Sequence, residues 1–148
     1  MYIAITLHLL AVIVWVGGMF FAHMVLRPAA NELLEPLQRL PLLKSVLDRF
    51  FPWVWLAIIL ILVSGYWIFL GLWGGHAGLY VHVMQGFGLV MVGLFSYVYF
   101  FPYRVMGHAL RSGDIPLAGT QMVIIRRIIG VNLVLGLATT VIGTAKLF

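Results

Sequence analysis

The chain is 148 residues long, about one domain's worth. Hydrophobic residues make up 64% of it and charged residues only 9%, against roughly 25% charge in an ordinary soluble domain. A soluble fold could not cover itself with so little polar surface, which excludes a soluble enzyme, a disordered chain and a nucleic-acid-binding module despite the net charge of +5. With no cysteine there is no disulfide framework, thiolate metal site, iron–sulfur cluster or cysteine nucleophile. An integral membrane protein remains.

A helix needs roughly 20 apolar residues to cross the hydrocarbon core. Four segments qualify, at approximately 3–26, 52–73, 79–101 and 124–145, forming a single four-span domain over 1–148. The first lacks a basic leader region and a cleavage site, so it reads as a retained span. Pro52 suits the first turn of the second span, and Pro102 follows the third. Between spans one and two, residues 31–49 mix leucines with charges, and Pro36 and Pro41 interrupt the pattern. This reads as a broken amphipathic segment at headgroup level. A weaker version runs from Arg104 to Gln121, with a turn at Ser112-Gly113-Asp114.

The basic residues sort by side. Arg27, Arg39, Lys44, Arg49, Arg104, Arg111, Arg126 and Arg127 fall on one face of the bilayer, and only Lys146 falls on the other. The positive-inside rule makes the first face cytoplasmic. The expected fold is therefore an all-α, up-down four-helix bundle in a bacterial inner membrane, with both termini and the loop at 74–78 periplasmic. This topology accounts for the net charge without an anionic partner or nucleic acid.

Ionisable residues inside spans default to a functional reading. His8 and His82 lie on spans of the same direction, each roughly 4–8 Å below the outer boundary at 1.5 Å per residue. In an up-down bundle these spans are diagonal, with axes about 12–14 Å apart when neighbours are about 8–10 Å apart. That leaves room for a planar macrocycle whose iron takes an imidazole from each side. From His8 the same stripe carries Val12, Trp15, Met19 and Ala22; from His82 it carries Gln85, Gly86, Leu89, Gly93 and Ser96. Apart from Leu89, the second stripe is small or polar, which reads as interior, with Gly86 and Gly93 giving clearance.

The expectation is a haem b redox protein with His8 and His82 as metal ligands and Trp15, Met19, Gln85, Gly86 and Gly93 around the cofactor. Its electron-transfer partner would be a quinone, a porphyrinogen or a periplasmic protein. Thioether and imidazole ligands also suit Cu(I), so copper binding by His8, His82 and Met19 or Met84 is the alternative. A third reading is a structural subunit whose histidines only hydrogen-bond across helices. His23 reads as interfacial and His76 as a loop residue. Arg126 and Arg127 read as an orientation anchor that is also able to hold an anionic group at the cytoplasmic mouth. Asn132 is expected to hydrogen-bond across helices.

The run Leu7-His8-Leu9-Leu10-Ala11-Val12-Ile13-Val14-Trp15-Val16-Gly17-Gly18-Met19-Phe20 resembles the first span of the CopD-type copper-resistance membrane domain. It also resembles that of the HemJ-type protoporphyrinogen oxidases. Tyr80-Val81-His82-Val83-Met84 resembles the third span of the same superfamily, whose oxidases carry Lys where this chain has Met84. Asp48-Arg49-Phe50-Phe51-Pro52 and Arg126-Arg127 fit the same layout, so the likeness covers nearly the whole chain. The resemblance implies haem b with His8 as an axial ligand, a functional His82, a haem-dependent oxidoreductase and a homo-oligomer. Met84 departs from the oxidase pattern, and the CopD name implies copper uptake or resistance.

Overall fold

A computed structural model describes residues 1–146, and every described element is helical. The elements are α1 (Tyr2–Phe21), a π-helical turn (Ala22–Leu26), α2 (Arg27–Leu33), α3 (Pro36–Trp73), α4 (Leu79–Phe100), α5 (Pro102–Arg111) and α6 (Ile115–Ala145). Four continuous helical stretches are long and apolar enough to cross a membrane: Tyr2–Leu33, Pro36–Trp73, Leu79–Arg111 and Ile115–Ala145. Large apolar side chains stay exposed along them, among them Ile13, Phe20, Ile59, Val63, Trp67, Leu89 and Val134. Water would penalise such a surface heavily, but lipid tails solvate it. The protein is a multi-pass membrane protein.

The second span differs from the sequence expectation. Pro36 opens α3 at its first turn, but Pro41 and Pro52 lie inside one uninterrupted 38-residue helix. Each proline forfeits one backbone hydrogen bond. Packing outweighs that loss: Leu40, Leu43, Leu47, Phe51 and Val54 recur every three or four residues and are all buried. The 31–49 connection does break before Pro36, where Leu34 and Glu35 are extended, but from Pro36 onward it is a continuous extension of span two, with no interruption at Pro41. Span four likewise begins earlier than expected, at Ile115, where the Asp114 side chain accepts a hydrogen bond from the Leu117 N–H at 3.1 Å. That N-cap follows the expected turn, in which Gly113 has φ +76° and so takes the left-handed conformation glycine allows.

α1 packs along α3, and α4 along α6, while α1 and α3 each also meet α6. α3 and α4 meet through rings: Phe51–Phe95 at 5.1 Å and Trp55–Phe95 at 5.0 Å. Across the centre, α1 reaches α4 by an edge-to-face contact of Trp15 on Phe95 at 6.4 Å. The middle of the bundle is thus filled by aromatic side chains. Asn132 is buried and donates to the Met91 carbonyl at 3.1 Å, fastening α6 to α4.

Glycines set the closest approaches. A Cβ on Gly136 would lie 2.8 Å from Val16 Cγ2 and 3.2 Å from Met91 Cε. This contact also brings Val16, Met91 and Gly136 to roughly the same level.

Candidate functional site

His8 lies on the inward face of α1, in register with buried Ala4, Ala11, Trp15 and Met19. This is the stripe expected from the sequence, and His8, Trp15 and Met19 share it. The imidazole is half-buried against α3. A Cβ on Gly65 would come within 3.3 Å of His8 Cε1, so the ring occupies the notch that this glycine leaves. Its Nδ1 lies 3.0 Å from the Ser64 hydroxyl.

The hydrogen bonds around Ser64 favour one tautomer. A serine hydroxyl has one proton, and the Leu60 carbonyl one turn back takes it. Ser64 Oγ then accepts from His8, with the ring proton on Nδ1. Nε2 is left with its lone pair and, among the described residues, without a side-chain partner. A metal-binding histidine is normally held in this way, by an outer partner on the opposite nitrogen.

His82 does not meet it. Burial on α4 follows Met91, Phe95 and Val98, and Met84 continues that face one heptad earlier, half-buried. His82 is two residues, or about 200°, away from Met84. It is exposed, with its ring edge-on to Phe69 of α3 at 5.9 Å. Gly86 and Gly93 lie on the same outer face, with nothing within 4 Å of the position a Cβ would take. Gln85 is half-buried and donates to the Tyr66 hydroxyl at 2.7 Å. The stripe from His82 through Gly86 and Gly93, expected to point inward, thus points outward. The reason is steric: bulky side chains fill the interior, and lipid tolerates the glycines.

Met84 takes the inward place at the depth of His8. It packs on α6, where a Cβ on Gly143 would lie 3.0 Å from its sulfur. From the common level of Val16, Met91 and Gly136, His8 is eight residues outward, Met84 seven and Gly143 seven. At 1.5 Å per residue these are displacements of about 12, 10.5 and 10.5 Å, so all three share a layer. Ser64 and Gly65 were absent from the expected site. A hydroxyl within an apolar span was the available signal for Ser64, but sequence alone does not give the register of α3 on α1.

Among the described residues, no group of three His, Asp or Glu side chains gathers closely enough to hold a metal ion. The donors present in the layer are an imidazole nitrogen and a thioether, a soft set.

His23 and the arginines form a separate group on the basic side. His23 sits in the π-helical turn against Gly130 of α6, and Arg27, Arg126 and Arg127 share one groove with it. His76 is an exposed loop residue, and His108 pairs with Arg111 Nη2 at 3.1 Å.

Comparison with known proteins agrees with this architecture. The family model described as copper resistance protein D matches residues 44–146, from within α3 to just past the end of α6. His82 and Met84 fall inside the matched region, and His8 precedes it. No curated protein and no solved structure matches the chain. The match spans well over half of the sequence, and the chain belongs to the copper resistance protein D family.

Proposed function

We propose that the protein binds Cu(I) as cargo within the bilayer, using His8 Nε2 and the Met84 thioether in the layer at the 74–78 loop end. The observation that carries this reading is the Ser64 hydrogen bond, which leaves Nε2 of an inward-facing histidine free at the depth of an inward-facing methionine. Imidazole and thioether favour Cu(I) over harder ions. Met91 lies one heptad deeper on the same face of α4 and Met19 is buried on α1, so further thioethers face the interior beyond the first layer. The family description and the basic-side asymmetry support an inner-membrane copper-handling protein with both termini periplasmic.

The test is metal analysis and Cu(I) titration of the purified protein against a competing chelator. The reading expects one strongly held Cu(I) per chain, lost in His8→Ala and weakened in Met84→Leu. Full retention of copper by His8→Ala refutes it.

A haem b reading has one observation in its favour. Gly86 and Gly93 leave open space beside the exposed His82, where a flat ring can approach α4. In that case the haem would approach the outer face of α4, since His82 is exposed there and faces away from the interior. Absorbance in the Soret region after haem-replete expression, lost in His82→Ala, distinguishes this reading from the first.

A further inference from the structure

The basic-side groove between the π-helical turn and α6 is independent of the His8 layer. His23, Arg27, Arg126 and Arg127 line it, and no acidic residue does. The one ion pair among the described residues is Lys44–Asp48, outside this groove. Arg27 Nε is buried and has no hydrogen-bond partner. Guanidinium groups gathered without a carboxylate repel one another, and a buried N–H without an acceptor is costly. Both defects are cured by the same thing, an anion with several acceptor oxygens.

The walls show what the anion is attached to. The groove is open and about 780 Å³ in volume. Beside it, a recess of about 20 Å³ shares His23, Arg27 and Arg126 with the groove and is otherwise walled by apolar side chains, among them Leu43, Leu47 and Met122. Away from the arginines the lining becomes apolar, through Gly130 to Val131 and Val134, which are 52% and 66% exposed. Val134 is seven residues from Arg127, about 10 Å toward the bilayer centre. The charged end therefore sits at headgroup depth and the apolar end at acyl depth. Gly130 lets His23 close the floor, since a Cβ there would lie 3.1 Å from its ring. The π-helical turn brings His23 and Arg27 into this position, and such turns recur at functional sites.

We infer that this groove is a specific site for an anionic phospholipid, with the phosphate held by Arg27 and Arg126 and the first acyl segment over Gly130, Val131 and Val134. Orientation by the positive-inside rule needs only the charges, not an apolar channel leading away from a buried unpartnered N–H.

The test is native mass spectrometry of the full-length protein in detergent, with dioleoyl-phosphatidylglycerol, dioleoyl-phosphatidylcholine or inorganic phosphate as probes. Phosphatidylglycerol should be retained in preference to phosphatidylcholine. Arg27→Gln with Arg126→Gln should weaken retention by about tenfold or more, the usual effect of losing hydrogen bonds to a charged group. Arg111→Gln, on the exposed end of α5, should leave it unchanged. Val131→Trp blocks the acyl path from an exposed position and should also weaken retention, so the test survives if the double arginine variant fails to fold. Equal loss in Arg111→Gln would reduce the effect to surface charge and overturn the site. Inorganic phosphate competing as well as the lipid, with Val131→Trp silent, would overturn the lipid and leave a free-phosphate site. Equal retention of both lipids would overturn the anion requirement.

Discussion

Gly17 and Gly18 are adjacent in α1, yet their surroundings differ completely. A Cβ on Gly17 meets nothing within 4 Å, whereas one on Gly18 would lie 2.5 Å from Phe50 Cζ on α3. Gly17→Ala and Gly18→Ala therefore form a matched pair. Both gain the same helix propensity, about 1 kcal/mol in an aqueous helix, and this term cancels when the two are compared. Only Gly18→Ala must displace an aromatic ring, and overpacking of this kind costs about 1–3 kcal/mol. Gly17→Ala should match or exceed the wild type, and Gly18→Ala should fall below it by about 1–3 kcal/mol relative to its neighbour. Reversible unfolding in mixed micelles with rising sodium dodecyl sulfate, followed by far-UV circular dichroism and tryptophan fluorescence, measures the difference. Equal stability of the two variants would refute the seating of Phe50 against α1, and with it the register that brings Ser64 to His8.

The packing of the helices supports three further expectations. Ser64→Ala removes the acceptor that fixes the His8 tautomer and should lower Cu(I) affinity by about 10–100-fold, the usual effect of losing a ligand's outer partner; Ser64→Thr keeps the hydroxyl and should retain most of the affinity. Asn132→Ala removes the hydrogen bond to the Met91 carbonyl and should destabilise the fold by roughly 1–2 kcal/mol through the lost bond and the space left behind, as read in the same micelle titration. Gly136→Val drives a branched side chain at Val16 and Met91, so it should separate α6 from α1 and α4 and cost more than Gly18→Ala.

Much of this architecture was legible in the sequence because a bilayer imposes simple rules. Four apolar runs gave four spanning helices, and the inward stripe of α1 followed from stepping 100° per residue through His8, Trp15 and Met19. The helix ends were less legible. Pro41 and Pro52 looked like punctuation, but buried leucines and Phe51 on the same face hold α3 continuous through both. The face of α4 was read the wrong way round. Small and polar residues looked interior, yet Met84, Met91, Phe95 and Val98 fill the core while Gly86 and Gly93 meet the outside. In lipid, hydrophobicity does not distinguish inside from outside, so side-chain volume has to decide, and Gly86 and Gly93 have none to offer the core. The Ser64–His8 hydrogen bond joins residues 56 apart in sequence, and no local pattern encodes it.

Cu(I) titration of the purified wild type and His8→Ala against a competing chelator, with an optical spectrum of each preparation, tests the central claim most directly. The account predicts one tightly held Cu(I) per wild-type chain, its loss in His8→Ala with the fold intact, and no Soret band. Copper binding unchanged by the substitution, or stoichiometric haem in a protein that takes up no copper, would contradict it.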